Sequence, residues 1–225
     1  MPGFDLSYLM LIAITLIVGF GTQAFIKSTF RKWGKVPISS GLTGAQAARR
    51  MLDENGLAQV SIKRVDGELT DHYDPKANVV SLSEAVFSST SVSATAVACH
   101  ECGHAVQHAR GFVPARLRGV LVPAINVAGT VWMFVLIAGI VMQMLNLVFL
   151  AIALYAVTIV FQLVTLPVEL DASRRALVYI KGHGYVPDKE AGGARTVLTA
   201  AALTYVAAAL VSVLQLIYLL GFARR

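Results

Sequence analysis

Residues 119–167 read GVLVPAINVAGTVWMFVLIAGIVMQMLNLVFLAIALYAVTIVFQLVTLP, a stretch without a single charged side chain. A bilayer span needs about 20 apolar residues, so the stretch is long enough for two helices. Its polar break lies at Gln143 and Asn146, and we predict spans near 121–141 and 147–166. Because only a helix satisfies its own backbone hydrogen bonds in lipid, this stretch predicts a helical membrane protein.

Two further apolar stretches, 6–25 and 197–222, are long enough to cross a bilayer. The hydrophobic content of 56% and the mean hydropathy of +0.66 also exceed those of ordinary soluble proteins. No Lys or Arg precedes the first stretch and no small-x-small site follows it, so we interpret it as an anchor and not as a cleaved signal peptide. The sequence therefore predicts four spans and a mainly α fold.

The cationic residues indicate how the chain is oriented. Of 19 Lys and Arg residues, 12 lie in 27–118 and 5 in 174–195. The positive-inside rule places both segments in the cytoplasm, with the N-terminus and the hairpin at 143–146 outside. The formal charge of +6 flanks the apolar stretches and is not interleaved with aromatic residues. We therefore expect the lipid bilayer as the partner of this charge, and no nucleic acid.

The polar segment after the first span begins with a helix and continues with strands. Thr43 is a suitable N-cap for a helix over 44–55. Alternating apolar residues then predict short strands over 60–65, 69–73 and 79–82, separated by turn residues. We expect these strands to form a small antiparallel sheet.

Two more helices are predicted outside the spans. Ser91 is a good N-cap for a helix that continues to Ala109 and stops at Gly111. The segment 167–181 has Pro167 near its start and acidic residues in its first turn, which is typical of a separate helix.

The helix predicted after Ser91 carries a metal-binding pattern. Residues 99–104 read CHECGH, which contains His-Glu-x-x-His. His100 and His104 are four residues apart and share one helix face, so both imidazoles can reach one zinc ion. Zinc lowers the pKa of a bound water towards about 7, and Glu101 beside the ligands can accept the water's proton. The pattern predicts metal-assisted hydrolysis.

A catalytic zinc needs a third protein ligand. His108 lies one further turn along, but three successive turns span about 12 Å, too far to converge on one ion. The metzincin spacing is excluded because position 110 is Arg. Glu169 is the better candidate, since a carboxylate where an apolar span ends is costly without a partner. Glu169 could instead be a helix-dipole charge; Asp171 could orient a ligand imidazole or act as a capping charge.

Several other residues have two open interpretations. Cys99 and Cys102 form a C-x-x-C that points away from the histidine face, which favours core packing over a functional thiol pair. The strand over 78–83 could bind an extended substrate by edge pairing or be an ordinary sheet strand. A peptidase also needs an oxyanion donor, and the sequence does not choose among its candidates: Tyr73, Tyr179, Tyr185 and His183.

The chain resembles the YugP-like membrane zinc metallopeptidases. The resemblance is carried by HECGHAVQH (100–108), DHYDP (71–75) with SLSE (81–84), LPVELDAS (166–173) and AAALTYVA (200–207). More distantly it is similar to the HtpX-like and CAAX-prenyl proteases, gluzincins whose third zinc ligand is a Glu on a later helix. The resemblance implies a zinc peptidase with Glu169 as the third ligand. Those enzymes place an Asp four residues after that Glu, where this chain has Ser173, so Asp171 is less supported as a helper.

We therefore expect about four transmembrane helices with a small α+β gluzincin-like cytoplasmic element that carries the HExxH helix. The expected division of the chain is an anchor (1–26), a cytoplasmic zinc-binding peptidase element (27–118), two transmembrane helices (119–167), a cytoplasmic helix with the third ligand (168–196) and a last transmembrane helix (197–225).

The expected function is hydrolysis of a peptide or protein substrate, which can itself be membrane-associated, near the cytoplasmic face of a bacterial plasma membrane. His100, His104 and Glu169 would bind Zn²⁺, and Glu101 would be the catalytic base. Two alternatives stay open: an intramembrane protease, and a catalytically silent scaffold or adaptor stabilised by zinc.

Overall fold

The computed structural model describes residues 6–185 and 188–224 of the 225-residue chain. Long helices dominate these residues, and a short sheet lies between the second and third helices. The elements in chain order are α1 (Leu6–Trp33), α2 (Gly44–Glu54), β1 (Ser61–Val65), β2 (His72–Asp74), β3 (Val79–Ser83), α3 (Glu84–Phe87), α4 (Val92–Ala109), α5 (Val113–Val141), α6 (Leu145–Gly182) and α7 (Asp188–Ala223).

Four of these helices are long and apolar enough to cross a membrane: α1, α5, α6 and the Gly192–Ala223 part of α7. They pack as a series in which α5 contacts α6, α6 contacts α7, and α7 contacts α1. Large apolar side chains such as Ile17, Phe20 and Val120 are more than 70% exposed on their outer surface. Such a surface belongs in lipid. The prediction of a mainly helical protein with four spans is confirmed.

The expected helix start at Pro167 is wrong. A single helix, α6, runs for 38 residues through Pro167. Proline removes one backbone hydrogen bond, but residues on both sides of it, Thr165 and Val168, are buried and hold the helix in place. At 1.5 Å per residue α6 is about 57 Å long, well beyond the hydrocarbon thickness of about 30 Å. The helix therefore carries Glu169 out of its apolar half towards the polar element.

The sheet is mixed and not antiparallel throughout. Its order is β1-β3-β2, with β1 parallel and β2 antiparallel to β3. β1 pairs with β3 along all five of its residues, β2 pairs with Val79–Ser81, and every residue of β3 is buried. The interpretation that this strand binds an extended substrate by edge pairing is therefore wrong, because β3 has no accessible edge.

The two helices predicted from their N-caps are present. The side chain of Thr43 caps α2 in a capping box with Gln46, and the Ser91 side chain accepts a hydrogen bond from the Ala94 amide at the start of α4. Helix α4 lies at the centre of the structure and contacts α2, α6 and α7. Fourteen of its 18 residues are buried, which makes it a core helix in spite of its polar motif.

Candidate metal centre

Helices α4 and α6 touch backbone to backbone at Gly103. A Cβ atom at this position would lie 2.8 Å from the carbonyl oxygen of Ala172, so only glycine allows this approach. His100 and His104 lie on either side of Gly103 along α4, and Glu169 lies nearly one turn before Ala172 on α6. The close approach therefore brings the two imidazoles and the carboxylate together.

The three predicted ligands form one compact cluster. Glu169 Oε2 lies 3.3 Å from His100 Nε2 and 3.6 Å from His104 Nε2, and one ligand atom from each residue lies within 4.8 Å of the other two. The Glu169 side chain is only 4% exposed. Tetrahedral zinc with ligand bonds of about 2.0–2.1 Å separates its donor atoms by about 3.3 Å. The spacing and the chemistry of these donors fit a zinc ion.

Ser173 orients His100. Its Oγ lies 3.1 Å from His100 Nδ1, on the side of the ring opposite the cluster. A hydrogen bond donated by Nδ1–H to this hydroxyl leaves Nε2 as the lone-pair nitrogen that faces the cluster.

Gln107 orients His104, a role that the sequence did not reveal. Its Nε2 donates hydrogen bonds to the Val168 carbonyl oxygen (2.7 Å) and to Asp171 Oδ2 (2.9 Å). Since both partners are acceptors, Gln107 Oε1 must face His104 Nδ1, which lies 3.0 Å away. His104 Nδ1 is therefore protonated, and its Nε2 is free for a metal.

Asp171 acts one step further from the cluster than expected. Its carboxylate accepts hydrogen bonds from Gln107 and from Arg175 Nε (2.6 Å), and it contacts neither imidazole. Asp171 therefore positions Gln107, which in turn positions His104. A sequence pattern cannot indicate this arrangement because the glutamine lies between residues on two different helices.

The second oxygen of Glu169 has its own partners. Arg118 Nη1 donates a hydrogen bond to Glu169 Oε1 at 3.1 Å. Tyr205, on α7, lies beside the same carboxylate and interacts with it. These contacts compensate a buried negative charge and leave Oε2 directed at the two histidines.

Glu101 opens onto the same cavity as the cluster. The cavity has a volume of about 170 Å³, and its polar wall comprises Asp71, His100, Glu101, Glu169, Ser173, Thr204 and Tyr205. Among the described residues, none donates a hydrogen bond to the Glu101 carboxylate, which is 8% exposed as a residue. The carboxylate is therefore available to accept a proton from a molecule bound in the cavity.

Opposing effects set the pKa of His104. Burial lowers this pKa, whereas the hydrogen bond to Glu169 and the charge of Glu101 raise it, and the net result lies above the ordinary value for histidine. A proton on His104 competes with a metal for Nε2, so we expect metal affinity to fall as the pH decreases.

The other polar candidates lie elsewhere. His108 Nδ1 is 3.1 Å from the Tyr73 hydroxyl and ties the end of α4 to β2. The rings of Tyr179, Tyr185 and His183 contact one another in tilted and edge-to-face arrangements. None of these five residues lines the cavity that contains the cluster. The structure instead brings Tyr205 there, whose only signal in the sequence was a phenol inside an apolar stretch, where its hydroxyl needs a partner.

Two further motifs have structural explanations. Cys99 and Cys102 are free thiols in the core, and burial raises the pKa of Cys99 to about 12, which agrees with core packing. The Asp71 carboxylate accepts hydrogen bonds from the Ser83 amide (2.7 Å) and hydroxyl. Burial raises the pKa of Asp71. This contact joins the 71–75 and 81–84 segments in the structure.

Fold and site together define a membrane protein with four apolar helices and a buried His-His-Glu cluster suited to zinc. Residues 8–224 match the model of the family described as "Putative neutral zinc metallopeptidase", and the chain belongs to that family. It is also 46% identical over 210 residues to a Bacillus subtilis (strain 168) protein described as "Putative membrane protease YugP". The alignment covers 93% of each chain. No solved structure matches the chain.

Proposed function

We propose that this protein is a zinc-dependent endopeptidase that hydrolyses peptide bonds close to the cytoplasmic face of the membrane. The observation that carries the proposal is the convergence of His100, His104 and Glu169 on one point, with Glu101 in the same cavity. A metal held only for structure usually has four protein ligands and needs no neighbouring base. This cluster has three protein ligands and a free carboxylate beside them.

Each residue has a defined role in this proposal. His100, His104 and Glu169 would hold the zinc ion, which supplies a Lewis acid and lowers the pKa of water. Glu101 takes the proton of the attacking water and then passes it to the leaving amine. Tyr205 lines the same cavity, and we assign to its hydroxyl the hydrogen bond donated to the oxygen of the scissile carbonyl as negative charge develops there.

The distribution of charge supports the cytoplasmic assignment. Lys27, Arg118 and Arg195 each flank the apolar part of a spanning helix, at the end of the bundle where the cluster lies. Arg118 is in direct contact with Glu169. By the positive-inside rule, this distribution supports a cytoplasmic position for this end of the bundle and for the cavity.

Metal content and hydrolysis measured on matched variants test the proposal. We would purify the wild type, Glu101→Gln, Glu169→Ala and the control Glu84→Ala in detergent. The control removes a carboxylate that is exposed and paired with Arg64. Each protein is analysed for zinc by mass spectrometry and incubated with casein as an unstructured substrate.

We expect zinc and hydrolysis in the wild type and Glu84→Ala, zinc without hydrolysis in Glu101→Gln, and neither in Glu169→Ala. Zinc and full activity in Glu169→Ala would show that the third ligand lies elsewhere. A wild type that holds zinc but hydrolyses nothing would favour the scaffold function over the peptidase.

A further inference from the structure

Helices α1 and α7 run antiparallel and touch at both ends but leave a groove between them. At one end Trp33 packs on Gly193, where an added Cβ atom would lie 2.4 Å from the indole ring. At the other end the ring centroids of Tyr8 and Tyr218 are 5.4 Å apart. Between these contacts lies a groove with a volume of about 420 Å³.

The groove lies next to the cavity of the His-His-Glu cluster. Thr204 lines both spaces, and Gln23 of the groove lies one turn of α1 before Ile26 of the cavity. Together the two spaces follow α7 from Val197 to Val211. The fourteen helical steps between these two residues correspond to about 21 Å. This is about two thirds of the hydrocarbon thickness of a bilayer.

The walls of the groove are suited to an apolar chain. No charged residue lines it, and Gly19, Ala207 and Ala208 leave room for close approach. The hydroxyls of Thr15 and Thr22 donate to carbonyl oxygens of their own helix at 2.8 Å, so they are already satisfied.

Gln23 is the polar exception, at the mouth of the groove nearest the metal cluster. Its side chain is exposed and has no hydrogen-bond partner among the described residues. A carboxamide offers one acceptor and two donors. It can bind the backbone of a chain that leaves helical structure as it passes from the groove into the cavity, where backbone groups need new partners.

We propose that the groove binds an apolar transmembrane segment of the substrate protein, and that the scissile bond lies in the few residues just outside that segment. The proposal rests on the peptidase function proposed above and adds a substrate class: proteins anchored in the same membrane. A peptide chain, unlike a lipid, must reach from the groove to the His-His-Glu cluster, and the two spaces lie side by side at Thr204, which lines both.

Photo-cross-linking tests the occupant directly, without any cleavage. The photoreactive residue p-benzoylphenylalanine replaces Gly19, which lines the groove, or Gly21, which does not; a Cβ atom at either position meets open space. Both variants carry Glu101→Gln and are reconstituted in phosphatidylcholine–phosphatidylglycerol vesicles. The probe is a peptide with one leucine–alanine span of about 20 residues and a flexible casein-derived tail.

We expect the peptide to be cross-linked about tenfold more at position 19 than at position 21, which corresponds to about 1.4 kcal/mol of preference. Equal yields would overturn the proposal. Cross-links to lipid alone at position 19 would identify a lipid as the occupant and would overturn it as well.

Hydrolysis separates failure of this inference from failure of the proposed function. Gly19→Phe should lower cleavage of the span-containing peptide about tenfold relative to Gly21→Phe, while both variants cleave casein as the wild type does. Normal cleavage of the peptide by Gly19→Phe would refute the groove but leave the peptidase function intact. A wild type that contains no zinc and hydrolyses no casein would refute the proposed peptidase function itself, whatever the cross-linking result.

Discussion

At the scale of single residues, the two histidines of the cluster are held by different hydrogen-bonding partners. Ser173 contacts His100 directly, whereas His104 is held through Gln107 by Asp171. Gln107 Oε1 accepts from His104 Nδ1–H, and the Ser173 hydroxyl can accept from His100 Nδ1–H, which leaves Nε2 of both rings for a metal.

Replacement of Ser173 tests the contact that orients His100. Ser173→Ala removes the acceptor for His100 Nδ1–H, and we expect a loss of zinc affinity of about 10–100-fold, which is typical when the partner of a metal ligand is removed. Ser173→Asp restores an acceptor and should retain zinc. The measurement is zinc competition with a chromogenic chelator. Equal affinity in Ser173→Ala and the wild type would contradict the assigned role.

Replacement of Tyr205 tests the proposed hydrogen bond to the scissile carbonyl. Tyr205→Phe keeps the ring that lines the cavity and removes only the hydroxyl. We expect normal zinc content and KM with kcat lowered by about 10²–10³-fold, the usual effect of losing one donor to a developing oxyanion. Tyr179→Phe is the matched control, because Tyr179 lies outside the cavity. A lower zinc content in Tyr205→Phe would instead indicate that the hydroxyl only supports Glu169.

At the scale of secondary-structure elements, the site depends on how closely α4 and α6 approach. The contact at Gly103 and Ala172 is between backbones, which cannot move aside as a flexible side chain can. The long helix α6 adds a second condition, because it stays helical through Pro167 and so sets the direction from which Glu169 approaches. Spacing between helices, and not only residue identity, defines the candidate metal centre.

Gly103→Ala is the corresponding prediction. The added methyl group must push α6 away from α4 by several tenths of an ångström, so we expect lower zinc affinity and a lower melting temperature, with a loss of about 1–3 kcal/mol from overpacking. Gly129→Ala on α5 is the matched control, since its Cβ atom meets open space. The measurements are zinc titration and thermal unfolding in detergent. An unchanged zinc affinity in Gly103→Ala would contradict the close contact.

At the scale of the whole molecule, the His-His-Glu cluster connects the polar core helix α4 to the membrane bundle. His100 and His104 come from α4, whereas Glu169 comes from the end of the apolar part of α6. A zinc ion bound by all three would cross-link the two parts. Ligand binding to the folded state alone stabilises it by an amount that depends on concentration and affinity.

Removal of zinc should therefore destabilise the whole protein. We expect a chelator to lower the melting temperature of the wild type and to leave Glu169→Ala unchanged. The decrease in melting temperature that the chelator causes in the wild type should become smaller as the pH falls, for two reasons. The raised pKa of His104 stabilises the zinc-free fold below that pKa and no longer does so above it, and zinc needs a deprotonated Nε2. Differential scanning fluorimetry at several pH values measures this, and a chelator effect that grows at low pH would contradict it.

Local patterns in the sequence were sufficient to predict much of the fold and of the candidate site. A bilayer imposes long uncharged stretches, so the four spans could be predicted from composition alone, and helical periodicity placed His100, Glu101 and His104 on one helix. Glu169 could be proposed because a carboxylate at the end of an apolar stretch needs a partner. The capped helices α2 and α4 could also be predicted from the sequence, because a cap is a property of a few consecutive residues.

Only the tertiary structure decided what depends on contacts between distant residues. Packing of elements far apart in the chain produces four such features. They are the parallel pairing of β1 with β3, the passage of α6 through Pro167, the roles of Gln107 and Ser173, and the position of Tyr205. Packing energies outweigh local preferences such as the tendency of proline to end a helix. The sequence by itself therefore determined the class of protein and three residues of its motif, whereas the tertiary structure decided their partners, because hydrogen bonds between helices leave no period or spacing in the sequence.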